Sequence, residues 1–317
     1  MVLFNIAALV AGFFCLLKGA DYLVDGSSAI AKRRGISSLT IGLTIVAFGT
    51  SAPELVVTIF SSAAGSNGLI MGNIIGSNLT NILLILGLAT YFFKLELTKP
   101  VKREAIFALA AIVVLALLAN NKLGASPLTL TWLDGVILLI FFGAFILATF
   151  RKRMDGEHIP IQRLRPSVSA MFVVLGMAGL ALGGFLIVDN SITIARALGW
   201  GEVFIGLTII AIGTSLPELV TTIIAAAKKE AGISIGNIIG SNVFNTLFVT
   251  GIAATLSPLV MDLQQNFDLI FTIIVTTVLL IFIYSGGRTP LKKWHGAVFL
   301  ALYFGIMAFF IFRGLFA

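Results

Sequence analysis

Apolar runs long enough to cross a bilayer follow one another from end to end of this 317-residue chain. A span needs roughly 17 to 25 mostly apolar residues. The chain is 58% apolar and 11% charged, with a mean hydropathy of +1.08, whereas soluble domains carry about 25% charged residues. A soluble globular fold is therefore excluded, and a polytopic membrane protein in a lipid bilayer is expected. Counting apolar segments between polar breaks predicts ten spans, near 3–25, 37–63, 69–93, 104–120, 130–150, 168–188, 203–226, 233–257, 267–285 and 295–314. The first lacks a basic leading region and runs into Lys32, Arg33 and Arg34, so it reads as a span and not a cleaved signal.

The spans come in two copies. Residues 41–81 align without a gap on residues 205–245, at a constant offset of 164 and with 25 identities in 41 positions. Outside that segment Gly12 aligns with Gly176 and Asp25 with Asp189. Two halves, 1–150 and 168–317, thus descend from one five-span unit. Five is odd, so the second copy enters the membrane from the opposite face, the inverted-repeat plan in which binding sites lie near mid-membrane. The fold class expected is all-α: ten transmembrane helices as two inverted five-helix repeats, with spans 2, 3, 7 and 8 broken where the repeated motifs interrupt them.

Basic residues set the orientation. A net charge of +7 would suggest nucleic acid in a soluble chain. In a membrane protein it is an orientation signal, and nucleic acid is discarded as a partner. Loops on one side hold 17 of the 21 Lys and Arg, against 3 on the other, with Lys18 inside the first span. The 17-charge side, including the linker 151–167, is expected to be cytoplasmic and both termini outside, in the cytoplasmic membrane. That linker is too short for a regulatory domain. Cys15 is the lone cysteine, His158 lies in the linker and His295 at a span edge, so neither disulfides nor a Cys/His metal site has support. No cofactor and no protein partner are evident.

Two acidic residues lie deep in otherwise apolar spans, Glu54 and Glu218, and the repeat relates them. Intramembrane carboxylates are expensive and mark ion or substrate pathways. Ser51-Ala52-Pro53-Glu54 and Ser215-Leu216-Pro217-Glu218 both spell a capping box, which predicts a helix restarting after a break at Gly49-Thr50 or Gly213-Thr214. Gln would close the same box without a charge, so the carboxylates point further, to function. A broken helix frees carbonyls that are tolerated at this depth only when buried or lining a cavity. Thr50, Ser51, Thr214 and Ser215 add hydroxyls, and Ala47 and Ala211 stand where carbonyls would be exposed. Such an all-oxygen set suits hard cations, Ca²⁺ taking roughly 6 to 8 oxygens. On the following spans Asn73, Ser77 and Asn81, and Asn237, Ser241 and Asn245, repeat at i, i+4, i+8 and form one polar stripe each. Gly72, Gly76, Gly236 and Gly240 read as close-packing positions, and Asn78 and Asn242 as packing contacts. Asp25 and Asp189 read as span-end caps, and Lys18 and Asp21, one turn apart, as a possible pair.

The paired Gly-Thr-Ser-x-Pro-Glu and Gly-Asn-Ile-Ile-Gly-Ser-Asn segments resemble the two alpha repeats of the cation/calcium exchanger superfamily, specifically prokaryotic relatives of sodium/calcium exchangers. The resemblance implies that Glu54 and Glu218 bind Ca²⁺ with Thr50 and Thr214, and that Na⁺ shares the carboxylates. It implies further Na⁺ sites at Ser77, Ser241 and the carbonyls of Ala47 and Ala211, with Asn81 and Asn245 near the centre and Ser51 and Ser215 more caps than ligands. It also implies alternating access by sliding of spans 1 and 6 across a rigid core. Some relatives carry Asp at the position of Asn81 or Asn245, so two carboxylates remain here and no K⁺ coupling is expected. The function expected is a secondary antiporter exchanging Na⁺ for Ca²⁺ and not an enzyme. A proton-coupled Ca²⁺ exchanger is the same-class alternative. An anion or amino-acid transporter is the different-class one, disfavoured by glutamate at both breaks.

Overall fold

A computed structural model describes residues 2–63, 65–95, 99–120, 128–150, 165–198, 211–285 and 291–316. They fold as an all-helical membrane protein. The helices are α1 (Val2–Arg34), α2 (Ser38–Thr50), α3 (Ala52–Ala63), α4 (Asn67–Phe92), α5 (Lys99–Ala119) and α6 (Trp132–Phe150), then α7 (Pro166–Ala197), α8 (Ala211–Thr214), α9 (Leu216–Ala227), α10 (Ala231–Leu256), α11 (Leu263–Ser285) and α12 (Lys293–Phe316). Seven described helices are long and apolar enough to cross a membrane, and the bent pair α2/α3 makes an eighth span. α5 falls outside that set because Lys99, Lys102, Arg103 and Glu104 crowd its first two turns. The first part of the expected seventh span, 203–210, and most of the linker, 151–164, lie outside the described residues.

The break in span 2 is where the proline places it. Pro53 has no N–H to give and its ring crowds the preceding turn, and α3 leaves α2 at 45° across Ser51. Ser215 separates α8 from α9 in the same way. Spans 3 and 8 differ from expectation: α4 and α10 are continuous. Their Gly-Asn-Ile-Ile-Gly-Ser-Asn segments contain no proline, so the helix runs through, and the irregularity appears one step later as π-helical turns at Thr80–Ile85 and Phe244–Val249. A third π turn, Gly42–Val46, lies within α2. Such turns are rare and gather at functional sites. One small ribbon departs from the helical plan: β1 (Leu128–Leu130) pairs antiparallel with β2 (Leu259–Met261), the extended leads into α6 and α11 satisfying one another's backbone groups.

Packing separates into two cores. One unites residues of α2, α4, α5, α6, α10, α11 and α12, among them Leu43, Ile74, Leu115, Leu138, Leu247, Leu279 and Phe299. The other centres on α1 and α7, where Leu16, Ala20 and Leu23 meet Val173, Leu180 and Ile187, and it takes in Ile41 and Val46 of α2, Ala225 of α9 and Ile233 of α10. These helices run antiparallel: Gly12 faces Gly183 and Ile187, Gly19 faces Gly176 and Leu180, and Gly26 faces Ser169 and Val173. α1 has 33 residues, about 50 Å at 1.5 Å per residue, against a hydrocarbon core of ~30 Å. It must cross obliquely or project beyond the bilayer. Polar ties hold its far end to the α9–α10 turn. Lys228 pairs with Asp21 at 2.5 Å and Asp25 at 2.7 Å, so Asp21 answers Lys228 and not the expected Lys18. Glu230 accepts from Lys32 Nζ at 2.8 Å, Ser28 Oγ at 2.6 Å and Ser38 Oγ at 3.1 Å. Burial alone would raise the Glu230 carboxyl, but the Lys32 ammonium and the two hydroxyls hold it below the usual carboxylate range.

The glycine seam admits a test. A Cβ on Gly19 would lie 2.7 Å from the Leu180 backbone nitrogen, and one on Gly176 2.6 Å from that of Leu23. Backbone cannot move aside as a flexible side chain can, so Gly19→Ala and Gly176→Ala should each destabilise by about 1 to 3 kcal/mol through overpacking. Thermal unfolding of the purified protein reads this as a lowered midpoint, with Gly143→Ala, whose added Cβ meets nothing within 4 Å, unchanged.

Candidate cation site

The helix restarts at Ser51 and Ser215 place Glu54 and Glu218 in the first turns of α3 and α9, where the positive end of a helix dipole favours a carboxylate. Both side chains are almost fully buried, Glu54 1% and Glu218 0% exposed, and they lie within coulombic reach of each other. The halves are joined directly: Ser51 Oγ donates to Glu218 Oε1 at 2.9 Å. Each carboxylate also takes the serine of the neighbouring helix, Ser77 Oγ on Glu54 Oε1 at 3.4 Å and Ser241 Oγ on Glu218 Oε1 at 3.5 Å. Each glutamate carbonyl receives an amide from the same stripe, Asn73 Nδ2 on Glu54 and Asn237 Nδ2 on Glu218, both at 3.4 Å. The two polar stripes therefore face the two breaks.

The capping boxes do not form. Ser51 sits at φ −86°, ψ 7° and Ser215 at φ −89°, ψ 4°, in the bridge region and not the extended backbone of a cap residue. Their N–H groups are already committed, Ser51 to Ala47 O at 3.0 Å and Ser215 to Ile212 O at 3.1 Å, so no cap N–H is left for Glu54 or Glu218. The serine hydroxyls do not cap either: Ser51 turns to Glu218, and Ser215 Oγ is buried without a partner among the described residues. Ala47 O is likewise occupied, by Ser51 N–H and by Thr50 Oγ1 at 3.3 Å. The Ser215 N–H passes over Ala211 O for Ile212 O.

All ten of the polar residues singled out, Thr50, Ser51, Glu54, Ser77, Asn81, Thr214, Ser215, Glu218, Ser241 and Asn245, are buried. Several keep unmet polar atoms. Glu54 Oε2, Glu218 Oε2, Thr214 Oγ1, Ser215 Oγ, Asn81 Oδ1 and both Nδ2 and Oδ1 of Asn245 have no hydrogen-bond partner among the described residues. Buried polar atoms are normally satisfied and each orphan costs free energy. Here they are mostly acceptors with two carboxylates among them and no basic residue in the hydrogen-bonded set. Such an oxygen-rich set suits a hard cation. Asn78 and Asn242, by contrast, link α4 to α10: Asn78 Nδ2 donates to Thr246 Oγ1 at 2.9 Å, Asn242 Nδ2 to Asn78 O at 3.3 Å, and Asn81 Nδ2 to Asn242 Oδ1 at 2.9 Å. They pack, as expected.

A profile of the family described as sodium/calcium exchanger protein matches residues 4–151 and 168–312. The chain belongs to this family. It is similar to the sodium/calcium exchanger MaX1 of Methanosarcina acetivorans, 32% identical over 353 aligned residues that cover 98% of this chain and 100% of the relative. The Ca(2+)/H(+) antiporter ChaA of Bacillus subtilis is 26% identical over 284 residues, 83% of this chain and 80% of its own. Among solved structures, the sodium-calcium exchanger NCX_Mj soaked with Na⁺ and Ca²⁺ superposes with a TM-score of 0.84 at 30% identity, covering 97% of this chain and 99% of the other. The protein is thus a multi-pass membrane antiporter of the prokaryotic sodium/calcium exchanger kind, a Ca²⁺ exchanger.

Around the exchanger's carboxylates the structure adds hydroxyls that the motif reading passed over. Thr222 Oγ1 accepts Asn237 Nδ2 at 3.1 Å. Thr58, its mate at the 164-residue offset, is equally buried. Both stand one turn beyond a glutamate on the same helix face, a spacing that would have found them.

The two serines separate a cap from a carboxylate ligand by stability alone. If both were caps, Ser51→Ala and Ser215→Ala would cost alike, about 1 kcal/mol. In the observed geometry Ser51→Ala removes a donor from a buried carboxylate, worth about 1.5 to 3 kcal/mol, while Ser215→Ala removes a hydroxyl that bonds nothing. Thermal melts in cation-free buffer should show a lower midpoint for Ser51→Ala and little change for Ser215→Ala; equal losses would restore the capping box.

Proposed function

We propose that this protein is a secondary active antiporter that exchanges Na⁺ for Ca²⁺ by alternating access, in the direction the gradients set and normally extruding Ca²⁺. The observation that carries the reading is the pair of repeat-related carboxylates buried beside orphaned oxygens, in a chain of the sodium/calcium exchanger family. Ca²⁺ would sit between Glu54 and Glu218 with the Thr50 and Thr214 hydroxyls. Na⁺ would use the same carboxylates together with Ser77, Ser241 and the carbonyls of Ala47 and Ala211, and Asn81 and Asn245 would face the centre. Ser51 is assigned to hold Glu218, and Ser215 to do the same for Glu54 in another state. Competition for the carboxylates is the coupling. The second reading, proton coupling, is favoured by the similarity to a Ca(2+)/H(+) antiporter.

The architecture that goes with this function is ten spans in two inverted halves, 1–150 and 168–317. The repeat at an offset of 164 and the two glutamate-bearing breaks support it. So does the antiparallel run of α1 and α7, which stand at equivalent places in the two halves. The exchanger would then move the α1/α7 pair, joined along its glycine seam, against the remaining helices.

Purified protein in proteoliposomes tests the coupling. An imposed Na⁺ gradient should drive opposing Ca²⁺ movement at clamped potential, whereas flux that follows a pH gradient and ignores Na⁺ would establish the proton-coupled reading. Glu54→Gln and Glu218→Gln keep side-chain volume and remove one charge each. A deficit of ~3 kcal/mol against a half-compensated divalent ion weakens binding more than about 100-fold, so each variant should insert and fold yet transport no Ca²⁺.

Orientation follows the basic charge, 17 residues against 3, with the linker 151–167 cytoplasmic and both termini outside. In a Cys15→Ser background, a cysteine at Gly156 should resist an impermeant thiol reagent added outside intact cells, and one appended after Ala317 should react. The reverse labelling would overturn this orientation.

A further inference from the structure

The repeat makes Thr58, Asn73 and Thr214 the counterparts of Thr222, Asn237 and Thr50, yet the two trios are in different states. In one, Asn237 is fully buried, its Nδ2 donates to Thr222 Oγ1 at 3.1 Å, and its Oδ1 accepts from Thr50 Oγ1 at 3.0 Å. That closed triad ties α9 to α10 and α10 to the end of α2. In the other, Asn73 is only half-buried and its amide reaches no hydroxyl, going to Glu54 O at 3.4 Å. Thr58 Oγ1 and Thr214 Oγ1 are buried without a partner among the described residues.

Thr58 shares with Thr90, Thr149, Thr214 and Thr221 a buried hydroxyl without a partner among the described residues, and of these it alone is the repeat counterpart of Thr222. A threonine in a membrane helix has an acceptor at hand, the carbonyl four residues back, and Thr44, Thr272, Thr276 and Thr277 all use it. Thr58 leaves it unused, as does Thr222, whose hydroxyl takes the Asn237 amide. A buried hydroxyl held away from its local acceptor is set for a partner that arrives in a different arrangement. Asn73, on the facing helix and already bonded to Glu54 O, is the group that the repeat supplies for it.

We propose that the two triads, Asn237–Thr222–Thr50 and Asn73–Thr58–Thr214, form alternately, each closing when its half of the protein closes, so that Asn73 and Asn237 act as positioning residues for the exchange between access states. The inference rests on the alternating-access reading above. Because Thr50 and Thr214 belong to the cation site, a triad that closes fixes the rotamer of one site hydroxyl while releasing the other. The triads thus link the shape of the site to the face on which it opens.

The test reads the balance of the two states without any transported ion. Nitroxide labels are placed at Val10 on α1 and Trp132 on α6, both well exposed, in a Cys15→Ser background, and their distance populations are measured by electron–electron double resonance. Thr222→Val removes one bond from the triad closed here and should shift the populations about fivefold away from this state, the factor of one neutral hydrogen bond. Thr58→Val removes the mate's bond and should shift them about fivefold toward it. Thr58→Ser and Thr222→Ser keep the hydroxyl and should match the parent. A purely structural role for the threonines predicts shifts of the same sign, or none, and either result overturns the proposal, as do serine variants that behave like valine. If a valine variant fails to fold, alanine at the same position, which removes the hydroxyl without crowding, repeats the measurement. In proteoliposomes the ratio of half-saturating Ca²⁺ at the two faces should move oppositely in the two variants. Parent protein that moves no Ca²⁺ would refute the exchange reading alone, since the distance populations still judge the triads.

Discussion

Two carboxylates with no basic partner, held where water is scarce, are the constraint on which the rest of this structure depends. A charge at the centre of a bilayer costs several kcal/mol even on lenient scales, and Glu54 and Glu218 share one site. The chain meets that cost locally. Broken helices direct first-turn dipoles at both groups, serines from neighbouring helices donate to them, and asparagines donate to the glutamate backbone carbonyls. What these devices do not supply is positive charge.

The same constraint bears on how the helices are joined. A site whose parts are drawn from α2, α3, α4, α9 and α10 needs those helices held together, and they interlock through buried amides and the main hydrophobic core. In the alternating-access reading, access to it would then change by moving other helices. α1 and α7 meet along glycines that bring their backbones into contact, a seam that joins them to each other more than to the remainder. Their ties to the α9–α10 turn run through Lys228 and Glu230. The first half has Ala64 and Ser66 at the corresponding positions, neither of them charged.

Much of this was legible in one dimension. Apolar runs gave a membrane protein, the 164-residue offset gave the doubled motif, and a glutamate inside a span announced a site because burial of charge is costly whatever the fold. All ten polar site candidates proved buried. What the chain alone concealed depends on partners distant in sequence. Ser51 reads as a cap until Glu218, 167 residues away, is seen to take its hydroxyl. The Asn-rich motif reads as a break, yet without proline the helix absorbs it as a π turn, where Asn245 O accepts both the Thr250 N–H and, at 2.9 Å, the Thr250 hydroxyl. Identical repeats also suggest identical halves, whereas the hydrogen bonds of Thr222 and Thr58 differ. A sequence encodes both states of such a pair and cannot say which half is in which.

Fixed charge explains why such a site would exchange ions and not merely leak them. With Asn81 and Asn245 neutral, the ionised site carries −2, which one Ca²⁺ or two Na⁺ neutralise. An empty site would have to pass through the occluded state with two uncompensated like charges in a low-dielectric interior, where their repulsion at an effective dielectric of about 20 is already several kcal/mol at contact distances, in addition to desolvation. A loaded site has neither term. In the exchange reading the barrier to switching would therefore fall only when cations are bound, and return without a load would be slow. Obligatory exchange would need no separate gate that senses occupancy, because the two glutamates would perform that function through their own electrostatics. A third carboxylate at Asn245 would raise the fixed charge to −3 and leave even the Ca²⁺-loaded site unneutralised, so that a further cation or a proton would have to travel with it. The neutral asparagines would thereby set which loads can cross.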